Sequence, residues 1–230
     1  MTEFLSSSSF FGLALSLAAY MAGMALKKRF RSPLLNPLLI AIVLTMGVLL
    51  LTGVKYEDYL TSAGMLSKFL TPATVCLAIP LYERLDMLKK NYRALLCGIL
   101  SGVITSVTCI LVLCALFGIG HAEYVTLLPK SVTTAIGMGV AEQLGGYTSI
   151  TAAAIIITGI LGNAIGEGVL KLFRITDPIA KGVALGSSAH AIGTVKAMEM
   201  GETEGAMSSL SIAVAGVMTV VFATIYANFL

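Results

Sequence analysis

Two short polar stretches interrupt an otherwise apolar chain, and their side chains are the ones best suited to binding a small anion. The stretches read PKSVTT and GSSAH. Hydroxyl groups and the free N–H groups at the start of a helix donate hydrogen bonds to a carboxylate, and a lysine adds positive charge. We therefore predict a site for a small carboxylate. Its predicted substrate-binding residues are Lys130, Ser131, Thr133, Thr134, Ser187, Ser188 and His190.

Each of these residues also has a purely structural interpretation. Lys130 is equally compatible with a lysine that extends to the outer membrane surface, and the hydroxyls after it with the cap of a half-helix. His190 is compatible with a buried histidine that donates to a backbone carbonyl. Asn163 and Glu167 lie four residues apart beside several glycines, a pattern that predicts either coupling to transport or close helix packing. The sequence leaves these alternatives open.

The composition indicates an integral membrane protein with an all-α fold. Of the 230 residues, 57% are hydrophobic and 12% are charged, and the mean hydropathy is +0.93. A soluble domain of this length has no core large enough for so much apolar surface. We predict about six full spans, one of them short and containing Pro72 and Pro80, which mark a third broken helix or a kink. The predicted spans are residues 10–26, 37–54, 67–81, 94–118, 148–170 and 206–230.

Basic clusters predict how the chain is oriented in the membrane. Clusters at residues 27–31, 84–93 and 171–174 belong on the cytoplasmic side by the positive-inside rule. With all three inside, residues 123–146 must enter and leave by the outer face, and residues 176–204 by the cytoplasmic face. The two polar stretches lie in these two segments. They therefore predict two re-entrant or broken helical hairpins that enter from opposite sides.

The same two stretches form an internal repeat. The segments SVTTAIGMGVAEQLGG, from Ser131, and SSAHAIGTVKAMEMGE, from Ser187, align without gaps and share an Ala-Ile-Gly triplet. Inverted repeats with Gly-rich interruptions are typical of secondary transporters with a binding site near the bilayer midplane. We predict a four-span part at residues 1–120 that is a scaffold or first half. Residues 121–230 are predicted to hold two hairpin-plus-span repeats that form the substrate site.

Other classes of function are disfavoured by the sequence. The net charge of +3 gives no basis for nucleic-acid binding. The cysteines form no CxxC pair, and no His, Cys and Glu pattern predicts a metal or a cofactor. Ser187 and His190 would pair as in a serine hydrolase only in a continuous helix, whereas the glycines and the repeat predict a break. We expect no enzymatic activity, no cofactor and no metal.

Several stretches resemble the LrgB/CidB family of bacterial membrane proteins over nearly the whole chain. They are PLLNPLLIAIVL, TPATVCLAIPLYE, LLPKSVTTAIGM, GILGNAIGE and GSSAHAIGTVKAMEMGETEGAMSSL. One departure is Ala135, because the family commonly has proline after PKSVTT. The resemblance implies a multi-pass protein of the bacterial inner membrane.

The resemblance implies two competing functions. One is a holin-like or antiholin-like protein that modulates murein hydrolase activity and cell lysis together with a small LrgA/CidA-like membrane partner. The other is a carrier of small monocarboxylates, as in the related pyruvate uptake systems and the plastid glycolate/glycerate transporter. A lytic pore needs no paired, hydroxyl-lined breaks, whereas an alternating-access carrier does. We therefore expect a carboxylate transporter that acts with such a partner and forms a homo-oligomer in the lipid bilayer.

Overall fold

The computed structural model describes residues 8–30, 37–69, 72, 75–76, 78–83 and 85–230. Every regular element within those ranges is a helix, which confirms the predicted all-α fold. The chain divides into two compact units, Met1–Cys76 and Leu77–Leu230.

The first unit is built from three helices that pack through small residues. They are α1 (Phe11–Phe30), α2 (Pro37–Thr52) and α3 (Tyr56–Lys68). Gly12 of α1 lies against Ser62 of α3, and its N–H donates to the Ser62 hydroxyl at 2.9 Å. Gly23 lies against the backbone of Pro37 at the start of α2. Both contacts need a residue without a side chain, because a Cβ would overlap the neighbouring helix.

Hydropathy did not predict α3, because this helix is polar at both ends. Glu57 and Asp58 lie in its first turn and Lys68 in its last. These charges complement the helix dipole and stabilise a short helix that no apolar run marks. Within the predicted short span at residues 67–81, residues 70, 71, 73, 74 and 77 lie outside the described residues, and the span stays a prediction.

The remaining helices of the described chain belong to the second unit. They are α4 (Ala78–Glu83), α5 (Leu85–Phe117), α6 (His121–Leu127), α7 (Thr134–Gln143), α8 (Thr148–Leu172), α9 (Pro178–Met200) and α10 (Glu202–Tyr226). Three segments of the described chain are long and apolar enough to span a bilayer: Lys89–Phe117, Thr148–Leu172 and Glu202–Phe229. They coincide with three predicted spans and confirm a membrane protein. The total of six spans stays a prediction.

Two helical hairpins connect these spans. We call residues 121–143 hairpin 1; it consists of α6, a turn and α7. We call residues 178–200 hairpin 2; it is α9, whose helix is broken at Ala189 (φ −129°, ψ 16°) and His190 (φ 43°, ψ −139°). The positive φ of His190 is a strained conformation for any residue with a side chain, and here it is held by the surrounding packing.

The buried core links the two hairpins to opposite halves of α5. Val107, Ile110 and Cys114, in the C-terminal half of α5, share one cluster with Tyr124 and Val140 of hairpin 1. The N-terminal half shares a second cluster with hairpin 2. Its buried members include Leu95, Ile99, Val103, Val183 and Met207. α5 therefore packs against hairpin 2 with its N-terminal half and against hairpin 1 with its C-terminal half.

Candidate transport site

Each hairpin reverses the direction of the chain at its polar stretch. A Cβ built on Gly137 would lie 3.2 Å from the Pro129 carbonyl oxygen, and one built on Gly193 would lie 2.7 Å from that of Leu185. Residues eight apart in a continuous helix are separated by about 12 Å along the axis, so these short distances require the chain to turn back. The two contacts occupy equivalent positions in the repeat, so the same reversal occurs twice.

The contacts of hairpin 2 with α10 give the direction of each arm. Gly182 lies against Glu204, and Gly186 lies against Ser208, so the first arm runs parallel to α10. In the second arm, Thr194 bonds Ser208, and the later Met198 lies against the earlier Gly205. This arm therefore runs back towards the start of α10. Hairpin 2 enters and leaves at the same end of α10, as predicted for a re-entrant segment.

The two hairpins begin at opposite ends of α8. In hairpin 1, the Thr126 hydroxyl accepts from Tyr147 N at 2.8 Å, and the Thr126 carbonyl accepts from the Thr151 hydroxyl at 2.9 Å. Both partners lie at the start of α8. Met200, at the end of hairpin 2, packs in the same cluster as Leu170 at the end of α8. The hairpins therefore pack against opposite ends of α8, as the predicted inverted arrangement requires, and their entry from opposite sides of the membrane stays a prediction.

The tips of both hairpins meet α8 at Ile155. Gly137 of hairpin 1 lies against the Ile155 Cδ1 methyl group. His190 of hairpin 2 places Nε2 2.9 Å from the Ile155 carbonyl oxygen. A carbonyl only accepts, so Nε2 carries the proton in this bond. One residue of α8 is therefore the common support of both tips.

On the opposite side, the equivalent serines of the repeat meet α5 one turn apart. Ser131 Oγ lies 3.3 Å from Ser106 Oγ. Ser187 Oγ lies 3.2 Å from the position that a Cβ on Gly102 would occupy. Gly102 and Ser106 are near the middle of the membrane-spanning part of α5, Lys89–Phe117. The two polar breaks therefore lie near the predicted bilayer midplane.

A cavity of about 810 Å³ lies between α5, the turn of hairpin 1 and the first arm of hairpin 2. Four of the predicted substrate-binding residues line it: Lys130, Ser131, Ser187 and Ser188. The rest of its wall is mainly apolar, with hydroxyl groups from α5, the amide of Asn91 and the carboxylate of Asp177, which accepts from Ala180 N at 2.8 Å. Lys130 and the hydroxyls beside it are the part of this lining that suits an anion.

The hydrogen bonds of these four residues determine what they can offer a ligand. Lys130 Nζ donates to Ser131 Oγ at 3.0 Å and keeps further N–H groups for other acceptors. Ser187 donates to the Val183 carbonyl at 2.7 Å, and Ser188 to that of Ala184 at 2.6 Å. Each serine hydroxyl must therefore rotate away from its own helix before it can donate to an anion.

Three predicted binding residues do not line this cavity. Thr133 is the N-cap of α7, and its side chain makes no capping bond there. Thr134 begins α7 and is partly buried. His190 is buried and bonds Ile155, which is the structural alternative for this residue. Their substrate-binding role stays a prediction, and the cavity does not support it.

Asn163 and Glu167 lie on the face of α8 that packs against hairpin 2. Asn163 Nδ2 donates to the Ile192 carbonyl at 2.9 Å. The two carboxylate oxygens of Glu167 each form a 2.8 Å ion pair, one with Lys171 and one with Lys196. Glycines beside them let hairpin 2 approach closely. These glycines are Gly159, Gly162 and Gly166. The packing interpretation therefore describes the observed contacts.

The contribution of α5 to the cavity was not predicted from the sequence. Ser101, Thr105 and Cys109 recur every fourth residue along one face of this helix, and all three line the cavity beside Ser106. A polar stripe at helical spacing inside an apolar span was the available signal. α5 lies in the part predicted as scaffold, so residues 121–230 do not form the cavity alone. The functional division at residue 120 stays a prediction, whereas the compact units divide after Cys76.

Comparison with known proteins gives a consistent family match. A family model described as the LrgB-like family matches residues 16–229. Three similar relatives, from Bacillus mycoides (strain KBAB4), Bacillus cereus (strain B4264) and Bacillus anthracis (strain CDC 684 / NRRL 3495), are each named antiholin-like protein LrgB. Each is 40% identical over 222 residues, which cover 96% of this chain and 96% of the relative. No solved structure gives a significant match.

Proposed function

This chain belongs to the LrgB-like family, and for it we propose transport of small monocarboxylates such as pyruvate or glycolate across the bacterial cytoplasmic membrane. The observation that carries this proposal is the convergence of both breaks on one cavity. Ser131 and Ser187, equivalent in the repeat, line it from hairpins of opposite orientation. Inverted hairpins that meet at mid-membrane are an arrangement that many alternating-access carriers use.

The proposed binding mode follows from the charges and donors of the cavity. A monocarboxylate places its oxygens between the Lys130 ammonium group and the hydroxyls of Ser131 and Ser187, after these hydroxyls rotate. The methyl or methylene group of the acid faces the apolar wall. A charge-assisted hydrogen bond contributes about 1.5 to 3 kcal/mol. One such bond does not offset the dehydration of a carboxylate, so the donors must bind it together.

Alternating access in this proposal is a rearrangement of the hairpins around a fixed site. One hairpin closes the cavity from each side of the membrane, and substrate binding changes the balance between the two closed states. We propose that the protein acts without enzymatic chemistry, as a homo-oligomer, and together with a small LrgA/CidA-like membrane protein.

An antiholin-like role is the second candidate, and the names of the 40% identical relatives favour it. In that account the protein modulates murein hydrolase activity and lysis with its partner. Control of lysis is also compatible with transport, because a change in carboxylate flux alters the energy state of the cell membrane indirectly.

The experiment that separates these candidates measures flux and leakage in the same vesicles. The full chain, with and without an LrgA/CidA-like protein, is reconstituted into liposomes that contain an entrapped dye. Transport predicts saturable uptake of labelled pyruvate or glycolate without dye release. Dye release with no saturable uptake would favour the holin-like class and contradict the proposal.

A matched pair of variants then tests the site separately from the function. The double variant Ser131→Ala/Ser187→Ala is expected to reduce uptake at least tenfold, because two donors to the carboxylate are lost. Ser211→Ala is the control, since Ser211 is also buried and donates to a carbonyl four residues back, but does not line the cavity. Equal uptake by the double variant and the control would overturn the site while leaving transport intact.

A further inference from the structure

A second pocket lies at the base of hairpin 2, where α8 ends and α9 begins. Its volume is about 460 Å³. The residues that line it include Lys171, Arg174, Lys181, Glu167 and Glu204. Arg174 has a positive φ of 54° and ends the helical run of α8. The pocket is separate from the transport cavity, since the two share no lining residue.

The pocket has an excess of positive charge once its ion pairs are considered. Glu167 is neutralised by two lysines, each at 2.8 Å. Glu204 lies in the first turn of α10, where the positive end of the helix dipole stabilises its carboxylate. Within the part of the chain that the structure describes, no carboxylate lies at ion-pair distance from Arg174 or Lys181. The three cations and two carboxylates that line the pocket sum to +1, and Arg174 and Lys181 are the two cations that form no ion pair with either carboxylate.

The two residues before Arg174 are apolar and exposed. Leu172 is 76% exposed and Phe173 is 70% exposed, and both directly precede Arg174. α8 is one of the helices long enough to span the bilayer, so its end lies at the membrane–water interface. Aromatic and aliphatic side chains at this depth contact acyl chains, whereas the neighbouring cations contact head groups.

We propose that this pocket binds the phosphate group of an anionic phospholipid, such as phosphatidylglycerol. The Arg174 guanidinium group can donate two parallel hydrogen bonds to a phosphate, and the Lys181 ammonium group adds a point charge. Leu172 and Phe173 contact the acyl chains of the same lipid. Basic pockets beside membrane helices on the cytoplasmic side are suited to such head groups, and residues 171–174 are predicted to lie on that side.

Lipid binding here affects hairpin 2 through Lys171. The Lys171 side chain is 76% exposed and can turn from Glu167 towards a bound phosphate. Glu167 then keeps Lys196 as its partner, and Lys196 belongs to the second arm of hairpin 2. An anionic lipid therefore strengthens the tie between α8 and this hairpin, whichever substrate the protein carries.

The test is a titration of the purified full chain in neutral detergent, followed by its thermal unfolding. Phosphatidylglycerol is expected to raise the unfolding temperature by about 5 °C at saturation, because a ligand that binds only the folded state stabilises it. Phosphatidylcholine is expected to give no comparable rise. Arg174→Gln/Lys181→Gln is expected to weaken the apparent affinity for phosphatidylglycerol at least tenfold.

Two further variants and a second ligand serve as controls for this titration. Lys89→Gln/Lys90→Gln removes the same charge from residues that do not line the pocket and is expected to bind like the unaltered chain. Arg174→Lys/Lys181→Arg keeps the charge and is expected to retain binding. Inorganic phosphate is expected to have little effect, and equal stabilisation by it would overturn the lipid assignment. Unchanged affinity in Arg174→Gln/Lys181→Gln would overturn the site itself.

Discussion

The two hairpins have the same length and the same reversal, yet they are held in place differently. Hairpin 2 is bonded to α8 along its length through His190 at its tip, the Ile192 carbonyl, and Lys196 in its second arm. Thr194 adds a 2.7 Å bond to Ser208 of α10. Each of these bonds fixes a different turn of the hairpin. Hairpin 2 is therefore bonded to its neighbours from its tip to Lys196 in its second arm.

Hairpin 1 is bonded mainly near its base. Thr126 bonds the start of α8, and the Tyr124 hydroxyl donates to the Tyr226 carbonyl at 2.8 Å. Towards the tip its contacts are largely apolar, for example those of Leu128 and Ile136, and the bond of Ser131 to Ser106 is long at 3.3 Å. Apolar packing has no preferred direction and permits small shifts more readily than a set of hydrogen bonds. The difference predicts that the tip of hairpin 1, which carries Lys130, is the part that moves during the proposed transport.

The largest effect is expected for Lys130→Met, because only hairpin 1 brings a charge to the middle of the cavity. Loss of a charge-assisted contact costs about 1.5 to 3 kcal/mol, or roughly 10- to 150-fold in affinity. The measurement is the concentration dependence of carboxylate uptake in liposomes. Lys130→Arg, which keeps the charge, is expected to retain part of the affinity. If Lys130→Met takes up the acid with the affinity of the unaltered chain, Lys130 does not bind the substrate.

The paired glycines at the reversals are expected to differ in their tolerance of a methyl group. In Gly193→Ala the new Cβ meets the Leu185 carbonyl oxygen at 2.7 Å, and backbone cannot easily move. In Gly137→Ala the closest atom is the flexible end of the Ile155 side chain. We expect Gly193→Ala to lower the free energy of unfolding by about 3 kcal/mol and Gly137→Ala by about 1 kcal/mol. Denaturation of both variants in detergent checks this, and a reversed order would contradict the difference between the hairpins.

His190→Ala tests whether this histidine is a support or a ligand. Its removal leaves the buried Ile155 carbonyl without that partner, so we expect a loss of about 2 kcal/mol in the free energy of unfolding. Because His190 does not line the cavity, the affinity for substrate is expected to stay unchanged. Uptake and unfolding are measured on the same preparation. A large loss of affinity with normal stability would restore the substrate-binding prediction.

The smallest effect is expected for Lys196→Met, which removes one tie between hairpin 2 and α8. Glu167 and Lys196 are 38% and 21% exposed, and partly exposed ion pairs contribute about 0 to 1 kcal/mol. Local opening of residues 191–200 is then expected to increase by up to roughly fivefold. Hydrogen–deuterium exchange measures it, with residues 134–143 of hairpin 1 as the internal reference. An equal increase in both hairpins would show a general loss of stability instead.

Local patterns predicted the parts of the site that depend on neighbouring residues. The repeat of Ser131 and Ser187, with Gly137 and Gly193 six residues later, marks both reversals, because a helix break is determined by a few adjacent residues. The roles of His190 and Glu167 depended on which distant groups came within reach. Ile155 lies 35 residues from His190, and Lys196 lies 29 residues from Glu167, so neither partner could be identified from spacing.

The sequence alone determined that this protein is a helical membrane protein, because the bilayer permits few structures for so apolar a chain. The resemblance of several stretches indicated the LrgB/CidB family, and charge placement with the repeat predicted two inverted polar hairpins. Only the tertiary structure decided which hydroxyls face the cavity and that α5 supplies one wall of it. A side chain at mid-membrane can point to lipid, to a neighbouring helix or to a cavity, and long-range packing selects among these directions.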